Sequence, residues 1–402
     1  MISRRTFTAS ALALAATSSR RALAQASSPV KVGVLSDMSG IFSDFGGRGS
    51  VVAATMAVED IGGSLLGKPV EIVSADHQNK PDTGVGIVRR WYDVEGVDII
   101  VDVLNSGLAL PVQTLAQEKN KIVIFSGLNN KDLSGKLCSP HGIVWGYDSY
   151  ALAKAAATGV MNAGGKSWFI ITIDYASGQT LEQDTIAVVK ANGGTVTGTV
   201  RYALGTKDFA SFLLQAQGSR ADVIALSTGG ADTQTMIKQA AEFGITQRMV
   251  PLFFTTMDIQ ALGLEAAKGA PVVTDFYWDQ NDKTREWTKR FQAKHGGRIP
   301  TDVQATVYSS TLHYLKAVQK AGTKDNATVL AALKDLPVED FMTNGARIRA
   351  DGRLLRDMYY AEVKKPSEST GPTDTLKIIS TIPGAEAFRP VAESECPLLR
   401  RA

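Results

Sequence analysis

The chain has 402 residues, 44% of them hydrophobic and 21% charged. That is ordinary globular composition with length for two lobes that each bury a core, and no apolar run reaches the roughly 18–20 residues needed to span a bilayer. The formal net charge of +3 comes from the first 24 residues, which hold four of the 43 basic residues and no acid; the remainder sets 39 basic against 40 acidic residues, which removes the electrostatic basis for a nucleic-acid or anionic-membrane role.

Ser3, Arg4, Arg5, Thr6 and Phe7 open the chain, and an apolar stretch over 9–16 follows. Ala22-Leu23-Ala24 and Ala24-Gln25-Ala26 are small-x-small cleavage candidates. Residues 1–26 read as an export signal of the twin-arginine kind, placing the protein in the periplasm. The other readings are the general secretory route and an amphipathic helix of the fold. No Cys follows the signal, so a lipid anchor is not expected. Cys138 and Cys396 are the two cysteines. In an exported chain they predict one disulfide stapling the C-terminal tail to the first lobe, the alternative being two buried thiols.

Apolar runs then alternate with helical patterns. Residues 30–35, 70–75, 99–104 and 122–125 read as buried strands rich in Val and Ile. Helical spacing fills 49–61, 82–91 and 108–118. A second set of strands follows at 168–172, 196–202, 223–227 and 250–254, with helices near 150–162, 181–191, 208–217 and 232–243 between them. This alternation predicts two doubly wound α/β lobes with parallel sheets. Beyond residue 278 the order changes. Helices are expected at 284–294, 302–321 and 327–336. A hairpin of 347–350 with 354–364 is expected around Asp351-Gly352, and a last strand at 376–380.

No phosphate-binding loop and no nucleophile elbow occurs. Gly46, Gly47 and Gly49 lack the dinucleotide-binding spacing, and the four His (His77, His141, His295, His313) have no metal-ligand spacing. The sequence therefore predicts no enzyme, no cofactor and no metal.

The loops after the strands are more informative, because ligands of doubly wound sheets bind beyond the strands' carboxyl ends. Residues 103–117 carry no charge. Asn105, Ser106 and Gly107 open a helix there and suit an oxyanion, although a plain N-cap gives the same pattern. Gly127 and Asn129 follow the fourth strand, where turn chemistry is the alternative. Gly229 and then Thr255, Thr256 and Met257 follow strands of the second set. Phe42, Phe45, Tyr175 and the run Phe276-Tyr277-Trp278 supply aromatic walls, or plugs of the core.

The stretch from Val32 to Gly40 with Phe45-Gly46, then Val73–Asp76 with Asn79-Lys80-Pro81, Asp208-Phe209 and Gly345, resembles the periplasmic binding proteins of the branched-chain amino acid (Leu/Ile/Val) transport type over about 29–380. The resemblance implies a type I periplasmic-binding fold: two lobes that close on a ligand around a three-crossover hinge. It maps lobe one to 29–147 plus 278–352, lobe two to 148–277 plus 353–390, and a tail to 391–402. It also implies a monomer that hands its ligand to an ABC permease of the inner membrane. Ser106 and Gly127–Asn129 would hold the ligand carboxylate, with Phe45, Tyr175–Ser177 and Gly229 around it.

One departure bears on the ligand. Amino-acid binders of this type hold the ligand ammonium on a second-lobe carboxylate, and the matching place reads Thr255-Thr256-Met257, with Asp258 just beyond. A buried ammonium without a countercharge is costly. The sequence thus resembles the subgroup that binds aromatic acids, with Tyr175, Phe45 and Trp278 sandwiching a ring. The alternatives are a branched-chain amino acid or amide binder, and a ligand-binding module for a membrane sensor.

Overall fold

The computed structural model describes residues 28–40, 42–128 and 130–400. The signal expected over 1–26 and the ligand residue expected at Asn129 lie outside the described residues.

Five parallel strands build the first sheet: β1 (Lys31–Ser36), β2 (Glu71–Asp76), β3 (Ile99–Asp102), β4 (Ile122–Phe125) and β5 (Gly142–Val144). Their order across the sheet is β2-β1-β3-β4-β5. Helices α1 (Gly47–Asp60), α2 (Pro81–Arg90) and α3 (Ser106–Glu118) connect them. β3 and β4 are buried along their whole length, since side chains alternate between two covered faces. Ile99 and Val101 pack with Ala53 and Ala57 of α1. Ile100, between them, packs with Val88 of α2 and Leu108 and Val112 of α3.

The second sheet holds β6 (Ser167–Ile173), β7 (Thr195–Tyr202), β8 (Val223–Ser227) and β9 (Arg248–Pro251), in the order β9-β8-β6-β7 and all parallel. It is wrapped by α4 (Ser149–Asn162), α5 (Ala176–Ala191), α6 (Ala210–Gly218) and α7 (Ala231–Glu242), and α8 (Thr256–Leu262) follows β9. The alternation repeats: Trp168 and Ile170 face Ala153 and Leu181, while Phe169 and Ile171 face Leu213 and Met236.

The rest of the chain is β10 (Pro271–Thr274), α9 (Asp282–Lys294), α10 (Asp302–Ala321), α11 (Asn326–Asp335), β11 (Asn344–Ile348), β12 (Leu354–Leu355), β13 (Met358–Val363) and β14 (Leu376–Ile382). The expected hairpin is only half present. β11 pairs with β12 through Ile348↔Leu354. After Arg356 and Asp357 the chain leaves that pair, and β13 becomes the middle strand of an antiparallel sheet between β10 and β14. Among the strands labelled here, β5 and β10 went unread. Each has three or four residues and opens on Gly or Pro, too little for a period to show.

The chain crosses between the two parallel-sheet lobes three times: at 145–148 after β5, at 275–281 after β10 and at 356–357 after β12. Two buried arginines, Arg353 in the turn between β11 and β12 and Arg356 in the last crossover, tie this region to the other two crossovers. Arg353 has no exposed surface; it donates to the carbonyl of Gly146 and to Asp148 Oδ2 at 2.9 Å. Arg356 pairs with Asp275 and donates to Thr306 Oγ1 at 2.9 Å. The first crossover is also tight: a Cβ at Gly146 would fall 1.9 Å from the Ser126 carbonyl oxygen, so only glycine fits.

The disulfide forms between Cys138 and Cys396, 258 residues apart with Cα atoms 5.6 Å apart. It ties the tail, which leaves the second core at Phe388, to the segment between β4 and β5.

Candidate functional site

The carboxyl ends of both parallel sheets point their loops into the space beside the crossovers. The loop after β1 is folded on Asp37, which is fully buried and accepts the N–H groups of Gly40 (2.7 Å) and Phe42 (3.0 Å). Its far end is fastened to the start of α10, where the Thr301 hydroxyl donates to the Phe45 carbonyl (2.6 Å) and the Gln304 amide to that of Gly46 (3.0 Å). Phe45 is thereby held over the cleft. Its ring meets Phe253, from the loop after β9, edge to face at 5.7 Å. Tyr147 of the first crossover lies 5.8 Å from the same Phe253 ring.

Two predicted glycines complete this cluster. A Cβ at Gly229 would fall 2.5 Å from Phe253 Cδ1, so the ring lies against the bare backbone. A Cβ at Gly127 would fall 2.5 Å from Val303 and 3.2 Å from the Tyr147 hydroxyl. Phe45, Gly127 and Gly229 thus converge, from three strand ends, on Phe253 and Tyr147. Burial pushes the Tyr147 phenol well above its ordinary pKa, helped by the charges of Asp302, Asp275 and Asp102; it stays a neutral hydroxyl.

β3 ends at Asp102 and not at Leu104 because Asp102 and Val103 both take left-handed backbone angles, φ 81° and 61°. That conformation is rare for a β-branched residue and costs about 1–2 kcal/mol for each residue. Such strain persists only where the surroundings impose it and gathers at functional sites. It aims the loop so that α3 begins at Ser106, half-buried, with Gly107 exposed beside it. The first N–H groups of a helix have no partner within it. Asn105 answers one of them: its Oδ1 accepts from Leu108 N at 2.8 Å, while its Nδ2 donates to the carbonyl and side chain of Asn79. Asn105 is the cap of this helix, and Ser106 and Gly107 form its first turn.

In the second sheet, Tyr175 stands half-buried at the N-cap of α5 with no side-chain cap bond. Burial raises its phenol pKa, so it too is a neutral group. Thr256 and Trp278 line a small, partly open pocket, with Phe254, Tyr277 and Asp302 among the other walls. Met257, next on α8, is half-buried and outside that lining. The Trp278 indole N–H is spent on the Thr373 carbonyl at 2.8 Å. Asp258 is buried and fully engaged: its carboxylate accepts from Thr255 N (3.0 Å), Thr255 Oγ1 (2.7 Å) and Gln234 Nε2 (2.9 Å). It closes the capping box of α8.

Phe253, Tyr147 and Asp302 were missed by sequence reading. Phe253 was counted into a strand over 250–254, and the signal against that was Pro251, which ends β9. Asp302 looks like any acid in a first helical turn. Tyr147 carries no sequence signal. Among the described residues no group of His, Cys, Asp and Glu is placed to hold a metal ion.

The family described as "Periplasmic binding protein" matches residues 29–371. A periplasmic binding protein from Burkholderia mallei superposes with a TM-score of 0.88 at 45% identity, over 92% of this chain and 99% of that one. A branched chain amino acid ABC transporter periplasmic ligand-binding protein from Burkholderia xenovorans gives 0.86 at 39% identity, over 92% and 100%. A solute-binding protein from R. palustris, in complex with benzoate, gives 0.79 at 19% identity, over 92% and 100%, a likeness of fold alone.

Proposed function

The chain belongs to the periplasmic binding protein family, and from that premise we propose that it captures a small organic carboxylate, an aromatic acid by preference, for an ABC importer. It is a solute-binding protein and not an enzyme. In the proposed reading the lobes are 29–147 plus 278–355 and 148–277 plus 356–390, the last boundary moved from 352 because β12 pairs with β11, and twin-arginine export delivers a monomer to the periplasm. The first-turn N–H groups and hydroxyl at Ser106, with the backbone at Gly127, receive the carboxylate. Phe45, Tyr175, Phe253 and Trp278 wall the rest.

The observation that carries the preference is the engagement of Asp258. Its three hydrogen bonds within the α8 capping box and to Gln234 leave no second-lobe carboxylate free, at the place where an amino-acid ammonium would need one. Neutral phenols at Tyr147 and Tyr175 add no countercharge. The strain at Asp102 and Val103 marks the Ser106 loop as a held, functional conformation. Ligand binding favours the closed arrangement by differential affinity, and the permease takes the closed form.

The second reading, a branched-chain amino acid binder, draws on the printed description of the Burkholderia xenovorans neighbour. A thermal-shift screen of the mature chain against aromatic acids, aliphatic acids and amino acids separates the two, since a ligand bound by the native state raises the midpoint. Shifts with benzoate-like acids support the proposal; shifts with leucine or valine alone refute the aromatic preference and leave the transport role standing.

A further inference from the structure

We propose that Asp302 selects the ligand by receiving a hydrogen-bond donor that the ligand carries, a ring hydroxyl in the case of an aromatic acid. This rests on the reading above that the ligand lies between the lobes.

Asp302 is the first residue of α10 after the capping Thr301. Acids at such positions usually face water and favour the helix dipole. This one instead lines the cavity between the crossover aromatics and the start of α8. Its Oδ1 accepts the N–H of Val303 at 2.9 Å, and among the described residues no cation is in ion-pair contact with it. The guanidinium nearest in charge influence, Arg356, is already held by Asp275 and Thr306.

The other polar side chains of the wall, the Thr256 hydroxyl excepted, are spoken for. The Thr301 hydroxyl donates to the Phe45 carbonyl, Thr255 to Asp258, Thr274 to the Phe276 carbonyl, and Tyr277 accepts the N–H groups of Thr375 and Leu376. Asp302 is half-buried, and its Oδ2 accepts no hydrogen bond among the described residues, so a donor on a ligand in the cavity can take that place. What it accepts is narrow. Asp275 behind it repels a second anion, so the incoming group is a donor. Phe254, Phe276, Tyr277 and Trp278 suit the face of a ring.

The experiment is titration calorimetry of the mature chain and of its Asp302→Leu and Asp302→Ala variants with 4-hydroxybenzoate, 4-methoxybenzoate, benzoate and leucine, with melting curves to verify folding. In the wild type the hydroxy acid is expected to bind at least tenfold tighter than the methoxy acid, which has the acceptor without the donor. Both variants are expected to lose that preference while binding benzoate within threefold of wild type. A wild type that does not discriminate, or a folded variant that still does, overturns the proposal. If leucine binds and the aromatic acids do not, the aromatic-acid reading fails by itself; the role of Asp302 as acceptor then stands if the variants weaken leucine at least tenfold, and falls if they do not. Silence of the whole panel with the wild type overturns both.

Discussion

Phe45 and Phe253 meet edge to face across the cleft, ring centroids 5.7 Å apart and planes at 88°. One ring comes from the loop after β1, the other from the loop after β9, so the contact joins the carboxyl ends of two different sheets. It must break when the cleft opens. An aromatic pair of this kind contributes about 0.5–1.5 kcal/mol beyond the area it buries. Phe253→Ala is therefore expected to shift the ligand-free protein toward open forms. X-ray scattering should show a larger radius of gyration than for wild type; an unchanged radius would mean that the crossovers alone set the closed state.

Arg353 and Asp148 form a buried pair at 2.9 Å that joins the first crossover to the turn between β11 and β12. Burial lowers the Arg353 pKa, with the charges of Asp148 and Asp351 opposing that fall. Breaking such a pair from one side leaves a buried charge and costs roughly 3–5 kcal/mol. Arg353→Met should lower the denaturation free energy by that order. Arg353→Met combined with Asp148→Asn should recover part of the loss, since no charge is then stranded. A double variant no better than the single one would show that the arginine acts through packing against Phe388, whose ring lies 4.5 Å away.

Asp258→Asn separates a structural role from a ligand role. The capping box would lose its charged acceptor, and caps contribute about 1 kcal/mol. Stability is expected to fall by about that much, read by urea denaturation. Affinity for an aromatic acid should stay within threefold. Leucine binding by the wild type that is lost in this variant would place an ammonium on Asp258.

Among the buried sources of pH-dependent stability, Asp102 and His313 have opposite sign. Asp102 is fully buried, with the Ser36 and Ser50 hydroxyls as its polar neighbours, and burial pushes its carboxyl up to about 7. A raised carboxyl is protonated in the folded state, so its stability contribution is lost as pH rises from the unfolded value near 4 through 7. His313 is the reverse: burial depresses its imidazole to about 4, partly offset by its contact with the Leu333 carbonyl. Its contribution is present above about 6.5 and lost as pH falls toward 4. Asp102→Asn should accordingly gain on the wild type as pH rises from 4 to 8, by as much as roughly 4 kcal/mol. Denaturation of both proteins across that range tests it; a constant difference would show that Asp102 is ionised in the fold.

The two α/β blocks were legible because β3, β4, β6 and β8 are apolar runs covered on both faces, and their helices keep a 3.6-residue period. The disulfide was legible because export and two cysteines left few choices. Loop structure was legible where its chemistry is local: Ser106 at a helix start, and Gly127 and Gly229 where a bare backbone is needed. What stayed hidden is set by distance along the chain. Nothing near Arg353 or Arg356 announces Asp148 and Asp275, more than 70 positions away. Phe253 was concealed inside an apolar run, and Asp302 differs from an ordinary helix-start acid only in what faces it. Asn105 was legible as either a cap or a ligand group, and the partner that commits its amide is the remote Asn79.

The most direct test of the central claim is titration calorimetry of benzoate-type acids and of leucine into the same preparation of the mature chain. The account predicts one-to-one binding of an aromatic acid, weakened by roughly 1–3 kcal/mol in Ser106→Ala or Tyr175→Ala, and no heat with leucine. Saturable binding of leucine with none of any aromatic acid would contradict it.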